Sequence, residues 1–115
     1  MFDDEERAEL IVKEYGFNFD VIKKNDIISL VEQELCNKNR NGNMTLRVLC
    51  FYLFCLGDIN DVHILEKAKY SSFDAGYMID GEWIDILRKT DNESERQSLI
   101  QKTTNELKSY FRICW

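Results

Sequence analysis

The side chains best suited to catalysis in this chain are its one histidine and its four cysteines. The cysteines are Cys36, Cys50, Cys55 and Cys114. A cysteine nucleophile needs a neighbouring base to form the thiolate, and His63 is the only imidazole that could serve as that base. None of the cysteines stands in a recognisable catalytic context. We therefore expect His63 to be a surface or partly buried residue and predict no Cys–His catalyst.

The same cysteines could also form two disulfides or bind a metal ion. Their spacing matches neither a compact secreted disulfide framework nor a zinc site. Cys50 and Cys55 lie inside the apolar run Val48–Leu56, where cysteine behaves as a small hydrophobic residue. Four acidic residues follow Met1 and Phe2, which is the wrong charge for a secretory leader. We therefore expect reduced thiols, no metal site and a cytoplasmic protein.

A group of carboxylates forms the second candidate for chemistry. It consists of Asp74, Asp80, Glu82 and Asp85. Paired carboxylates can carry out acid–base catalysis or bind a cation. Helix capping explains them more simply, because Asp80 precedes a predicted helix and Glu82 falls in its first turn. Since the glycines are scattered and form no phosphate-binding loop, the sequence predicts neither an enzyme nor a cofactor.

The spacing of apolar residues predicts an all-α fold with a single domain over residues 1–115. Proline is absent, and no alternating strand pattern occurs. We expect about six helices in antiparallel pairs, arranged as a compact bundle or a short helical-repeat-like stack. Their predicted ranges are Asp3–Tyr15, Asn25–Asn37, Met44–Leu56, Asn60–Tyr70, Asp80–Lys89 and Thr90–Ile113.

The ends of these helices carry capping signals. Gly16 and Gly57 are expected to end the first and third helices. The predicted N-caps are Asn25, Asn60 and Asp80. The last helix is expected to begin with a capping box, formed either by Thr90 and Glu93 or by Asn92 and Glu95. The segment Ser71–Ile79 is predicted to be a loop, with a short strand at Tyr77–Ile79 as the alternative.

The charge of the chain limits the class of partner. It has 15 basic and 21 acidic residues, a net charge of -6, so its field repels phosphate backbones and attracts basic surfaces. We expect no nucleic-acid partner. Residues 58–87 contain seven carboxylates and two lysines, and therefore hold -5 of this charge. The run Val48–Leu56 is about half the roughly 20 residues of a membrane helix, so no membrane partner is expected.

Aromatic residues are interleaved with these acids, and this combination predicts a protein-binding surface. Aromatic side chains are enriched at binding hot spots, and an acidic field speeds the capture of a basic protein. The predicted contacts are Asp58, Asp61, Asp74, Asp80, Glu82 and Asp85 as charge partners, with Tyr70, Tyr77 and Trp83 as aromatic anchors. In the alternative, the acids only solvate the surface while apolar residues attach the segment to the core, namely Phe73, Met78, Ile79 and Trp83.

Several short motifs within Phe51–Asp80 have a spacing that is similar to that of a known protein family. The motifs are Leu56-Gly57-Asp58, Leu65, Ala68-Lys69, Phe73-Asp74 and Ile79-Asp80. This segment resembles small bacterial immunity proteins, which neutralise toxins delivered between neighbouring cells, including those of contact-dependent growth inhibition. The resemblance implies a cytoplasmic protein, made by the cell that carries the toxin gene, which binds its cognate toxin tightly and blocks the active site or substrate surface.

The leading hypothesis is therefore an immunity protein that binds a cognate toxin through an acidic and aromatic surface. A nuclease is the expected toxin, because nuclease clefts are basic and an acidic protein can occupy them by mimicking phosphate charge. The alternative is a helical adaptor or regulatory protein–protein interaction domain without a toxin partner. A small hydrolase built around His63 and a thiol is the third hypothesis. The sequence leaves the oligomeric state open.

Overall fold

A computed structural model describes residues 3–37, 42–89 and 93–112 of the chain. Within these ranges all the regular structure is helical, as predicted: seven α-helices and two short 3₁₀ turns. The α-helices are α1 (Asp4–Tyr15), α2 (Lys24–Leu35), α3 (Met44–Leu56), α4 (Val62–Lys69), α5 (Phe73–Met78), α6 (Gly81–Arg88) and α7 (Glu93–Tyr110). The 3₁₀ turns cover Phe19–Val21 and Ile59–Asp61.

Helix α3 forms the centre of the fold. Ten of its thirteen residues are buried, including four consecutive residues from Phe51 to Phe54 that have no exposed surface. Helices α1 and α2 make the most extensive contacts with it, and α4, α5 and α6 also pack on it. A helix that is apolar nearly all round has to be covered on several sides, and the neighbouring helices provide this cover.

The N-terminus of α3 is capped by a side chain from α1. Asp4 is buried, and its two carboxylate oxygens accept hydrogen bonds from the backbone N–H groups of Met44 (2.7 Å) and Thr45 (3.1 Å). The Thr45 hydroxyl donates in return to the Asp4 carbonyl, at 2.8 Å. A Cβ atom at Gly42 would lie 2.7 Å from an Asp4 oxygen, so this close approach requires glycine. Asp4 thus satisfies two N–H groups that the helix itself cannot.

The C-terminus of α3 is capped by a side chain from α7. One terminal nitrogen of the Arg96 guanidinium donates to the carbonyls of Phe54 (3.0 Å), Cys55 (2.9 Å) and Gly57 (3.0 Å). The guanidinium also lies 5.8 Å from the centre of the Phe54 ring. A cation is favourable at this end of a helix because the carbonyl groups carry partial negative charge. Gly57 ends α3 as predicted.

Two predicted N-caps are wrong because the helices begin elsewhere. Before α4, Asp58 takes the capping role and accepts a hydrogen bond from the Asn60 backbone, while Asp61 accepts one from the Asp58 backbone. This capping box closes the 3₁₀ turn, and Asn60 lies inside it. Helix α2 begins at Lys24, one residue before the predicted cap Asn25, with Lys23 at the N-cap position and no side-chain cap bond.

The prediction of a loop over 71–79 is also wrong. Ser72 accepts a hydrogen bond from the Ala75 backbone at 3.1 Å and caps the six-residue helix α5. The short helix continues to Met78, so the alternative of a strand at 77–79 is wrong as well. Because α5 adds a helix between α4 and α6, the described part of the chain has seven α-helices instead of six.

The predictions at the remaining helix ends have different outcomes. Gly16 ends α1 with a positive φ of 66°, and Asp80 caps α6, both as predicted. Asp3, the predicted first residue of this helix, is its N-cap. Helix α7 ends at Tyr110, three residues before the predicted end. The predicted capping residues Thr90 and Asn92 lie outside the described residues, as do residues 113–115.

Replacement of Asp4 by Asn tests the cap between α1 and α3. The asparagine amide has one acceptor oxygen where the carboxylate has two, and its NH2 group is a donor. One backbone N–H group of α3 therefore faces this NH2 group and loses its hydrogen-bond acceptor. We expect Asp4→Asn to lower the free energy of unfolding by about 1 to 3 kcal/mol in urea denaturation. Asp3→Asn is the matched control, because Asp3 is an exposed N-cap and Asn caps equally well. Equal loss in both variants would contradict this role of Asp4.

Tyr52 provides a test at alkaline pH. Its hydroxyl is buried and donates to the Gly16 carbonyl at 2.8 Å, and burial raises its pKa above the ordinary value. The unfolded chain ionises this tyrosine above about pH 10, so the folded protein loses stability as the pH rises through that value. We expect Tyr52→Phe to be about 1 kcal/mol less stable than the parent at pH 7. The difference in free energy of unfolding between the parent and Tyr52→Phe should shrink above pH 10, as measured by urea denaturation. A difference that does not change with pH would contradict this expectation.

Candidate protein-binding surface

Three aromatic side chains are exposed within eight residues of each other at the end of α4 and on α5. The exposed fractions are 73% for Tyr70, 79% for Phe73 and 78% for Tyr77. Phe73 and Tyr77 lie one helical turn apart, with ring centres separated by 5.1 Å and planes at 73°. We call these three residues the aromatic surface. Such a concentration of exposed aromatic rings is a mark of interaction sites.

The contacts of α5 explain why these rings face outwards. Ala75 is the buried residue of this helix, and Ile79 just after it is buried as well. The Lys69 ammonium group donates to the carbonyls of Gly76 and Ile79, both at 2.6 Å. A lysine from α4 therefore holds the carboxyl end of α5, where a positive charge is favourable. The aromatic surface is left free of these contacts.

A shallow depression of about 520 Å³ lies within the aromatic surface. It is lined by Lys69, Tyr70, Ser72, Phe73, Gly76 and Tyr77. The rings supply most of its apolar wall. A neighbouring depression of about 360 Å³ shares Lys69, Gly76 and Tyr77 with it and extends to Arg47 and Asp80. The two depressions form a continuous irregular surface around α5.

Acidic side chains on α5 and α6 give this region its charge. Asp74, Glu82 and Asp85 are exposed, and none of them forms an ion pair within the part of the chain that the structure describes. Asp58 and Asp80 are engaged as N-caps, through hydrogen bonds from the backbone N–H groups two residues later. All five carboxylates had been predicted as charge partners, and in the described ranges the side chains of Asp74, Glu82 and Asp85 form no ion pair.

Trp83 does not belong to the surface for which it was predicted. Its side chain has no exposed area, and its ring centre lies 5.7 Å from that of Phe51 and 5.9 Å from that of Phe54. Phe73 differs in the other direction. The alternative interpretation expected it to pack on the core, but it is largely exposed. Ile79 is buried, as that alternative expected.

Asp61 also lies away from the predicted surface. It is 5% exposed, and its carboxylate accepts a hydrogen bond from the Lys24 ammonium group at 3.0 Å. This contact raises the pKa of Lys24, since the hydrogen bond favours the charged amine. Asp61 therefore joins α2 to the start of α4 and is not available as a charge partner for another protein.

The histidine differs in exposure from the two thiols of α3. His63 is exposed, and Cys36, Cys50 and Cys55 are free thiols. Burial raises the pKa of Cys50 and of Cys55, which disfavours the nucleophilic thiolate form. Over the described ranges no three His, Cys, Asp or Glu side chains are grouped in a way that could hold a metal ion.

Comparisons of this chain with protein-family models, with curated proteins and with solved structures found no match. Among residues 3–37, 42–89 and 93–112, no helix is both long and apolar enough to cross a membrane.

The different environments of the aromatic residues predict different effects on stability. We expect the double variant Phe73→Ser, Tyr77→Ser to change the free energy of unfolding by less than about 1 kcal/mol, because both rings are exposed. Trp83→Ala should lower it by about 3 to 5 kcal/mol, because it leaves a cavity beside α3. Urea denaturation of the two variants and the parent measures both effects. A large loss in the double variant would mean that the two rings are buried in solution.

Proposed function

We propose that this protein is an immunity protein, which binds a cognate bacterial toxin through the aromatic surface and the acidic residues beside it. The observation that carries the proposal is the exposure of three aromatic rings on and next to one short helix. Exposing this apolar area to water is unfavourable, and the rings contribute little to the core. A partner protein that covers them removes this cost.

The charge of the region favours a basic partner. Asp74, Glu82 and Asp85 are exposed and form no ion pair in the described structure. Asp74 follows Phe73 directly in sequence, and Glu82 and Asp85 lie on α6, the helix after α5. Carboxylates around an apolar centre accelerate encounter with a positively charged surface and orient the partner. A nuclease cleft is such a surface, because it binds phosphate groups. We propose a nuclease domain as the toxin and direct or adjacent obstruction of its active site as the mode of inhibition.

The resemblance to immunity proteins supports the same region. Two of its motifs, Ala68-Lys69 and Phe73-Asp74, include the lysine that holds α5 and one ring of the aromatic surface. Residence in the bacterial cytoplasm belongs to this proposal, because an immunity protein meets its toxin inside the cell that it protects. The partner contacts that we retain are Asp58, Tyr70, Asp74, Tyr77, Asp80, Glu82 and Asp85, with Phe73 added.

Charge reversal on α5 and α6 tests this function. We expect Asp74→Lys, Glu82→Lys, Asp85→Lys to lower the association rate constant for the toxin domain encoded beside the gene at least about tenfold at low salt. The same variant should lose protection of a bacterial host that co-expresses the toxin. Stopped-flow binding and colony survival measure the two effects.

A matched control separates local charge from net charge. Glu14, Asp20 and Glu32 are exposed and lie on or next to α1 and α2. Reversing these three to lysine brings the formal net charge from -6 to zero, as does the first triple variant. We expect the control to bind and protect like the parent.

Two results would count against the proposal. Equal loss in both triple variants would mean that net charge alone guides binding and would remove the role of this surface. Absence of a neighbouring toxin, with a housekeeping complex bound through the aromatic surface, would favour the helical adaptor.

A further inference from the structure

Gly76 has no structural reason to be a glycine. It lies in the interior of α5, where glycine is among the residues that least favour a helix. Its φ is not in the left-handed region. A Cβ atom built on it would meet one neighbouring atom, the Lys69 carbonyl oxygen, at an ordinary contact distance of 3.6 Å. The fold would accept a side chain at this position.

The surroundings of Gly76 indicate what its missing side chain makes accessible. It lines both depressions around α5, together with Tyr77, and the larger depression also contains Tyr70 and Phe73. Because a Cβ atom would otherwise have open space around it, a methyl group there would project into this region. Glycine keeps backbone accessible where a ligand approaches closely.

The chemistry of the depression favours a cation with a flat, apolar face. Three aromatic rings line it, and the face of an aromatic ring carries partial negative charge that attracts a cation. The chain carries a net charge of -6, and Asp80 lines the adjoining depression. A guanidinium group stacks on aromatic rings and gives up its water more readily than an ammonium group does. Arginine is also enriched at the centres of protein interfaces.

The two cations near the site are already engaged. Lys69 donates to two carbonyl groups at the end of α5, and Arg47 lies 3.8 Å from the Glu106 carboxylate. The Lys69 ammonium group is therefore directed at these carbonyl groups, and the charge of Arg47 is partly compensated by Glu106. Asp74 and Asp80 add negative charge before and after Gly76 in the sequence.

We propose that the depression over Gly76 receives an arginine side chain of the partner, with its guanidinium group stacked on the rings of the aromatic surface. This inference rests on the proposed function, since it names the group of the basic partner that the surface recognises. Gly76 acts as a specificity-determining residue, because its lack of a side chain leaves room for the arginine. Phe73 and Tyr77 supply the stacking faces.

The test uses a small probe and the full-length protein. The probe is the peptide Gly-Arg-Gly with both ends blocked, and its control has citrulline in place of arginine, which has the same shape without the charge. Binding is followed by NMR through the ring protons of Tyr70, Phe73 and Tyr77. We expect the arginine peptide to bind at least about fivefold more tightly than the citrulline peptide.

Two variants locate the site. Gly76→Ala should weaken binding of the arginine peptide at least about fivefold. The melting temperature of this variant should equal or exceed that of the parent, because alanine favours the helix. Phe73→Leu keeps an apolar side chain but removes the ring, and should reduce the preference for arginine over citrulline. Equal affinity of the parent for both peptides, or unchanged binding by Gly76→Ala, would overturn the inference.

The inference and the proposed function can fail separately. The charge reversals could weaken toxin binding while Gly76→Ala binds the toxin as tightly as the parent does. That result would overturn the arginine site alone. Selective arginine binding without any protection against a toxin would overturn the immunity function and leave the site in place.

Discussion

The interior helix α3 has backbone N–H groups in its first turn and carbonyl groups in its last turn that no residue of the helix itself can satisfy. On an exposed helix, water would serve these groups; at the ends of a buried helix, side chains must do so. Asp4 supplies the acceptors at one end, and Arg96 supplies the donor at the other. The two side chains come from α1 and α7, so closing the ends of α3 brings the first and last helices of the chain onto it.

Further charged contacts fix the elements around this centre. Arg7, one turn after Asp4, donates to the buried Glu34 carboxylate at 2.5 Å and joins α1 to α2. Lys24 and Asp61 join α2 to the start of α4. Each of these pairs includes one buried carboxylate, and removing its partner would leave a charge without compensation. The polar contacts thus specify how the helices are placed, while the apolar residues of α3 form the centre of the core.

The sequence predicts features whose signals lie within a few neighbouring residues. It does not predict very short helices or contacts between residues that are far apart in the chain. The apolar run identified α3, and Gly16 and Asp80 marked helix ends, because their signals lie within a few residues. Helix α5 was missed because six residues are too few to show a helical period. The exposure of Phe73 and the burial of Trp83 depend on which face of a short helix meets the core. From the sequence, Asp4 was noted only as one of four acidic residues after Phe2, because its contact with a residue 40 positions away has no local signal.

The way in which α5 is held has a consequence for evolution. Its attachment uses backbone carbonyl groups, the small buried side chain of Ala75 and the cap at Ser72, none of which involves its outward-facing residues. Substitutions at the aromatic surface therefore leave the core and its hydrogen bonds intact. If the aromatic surface binds a toxin as we propose, lineages of this protein can change that surface in step with a changing toxin while they retain the same scaffold. Selection for stability and selection for recognition would then act on separate sets of positions.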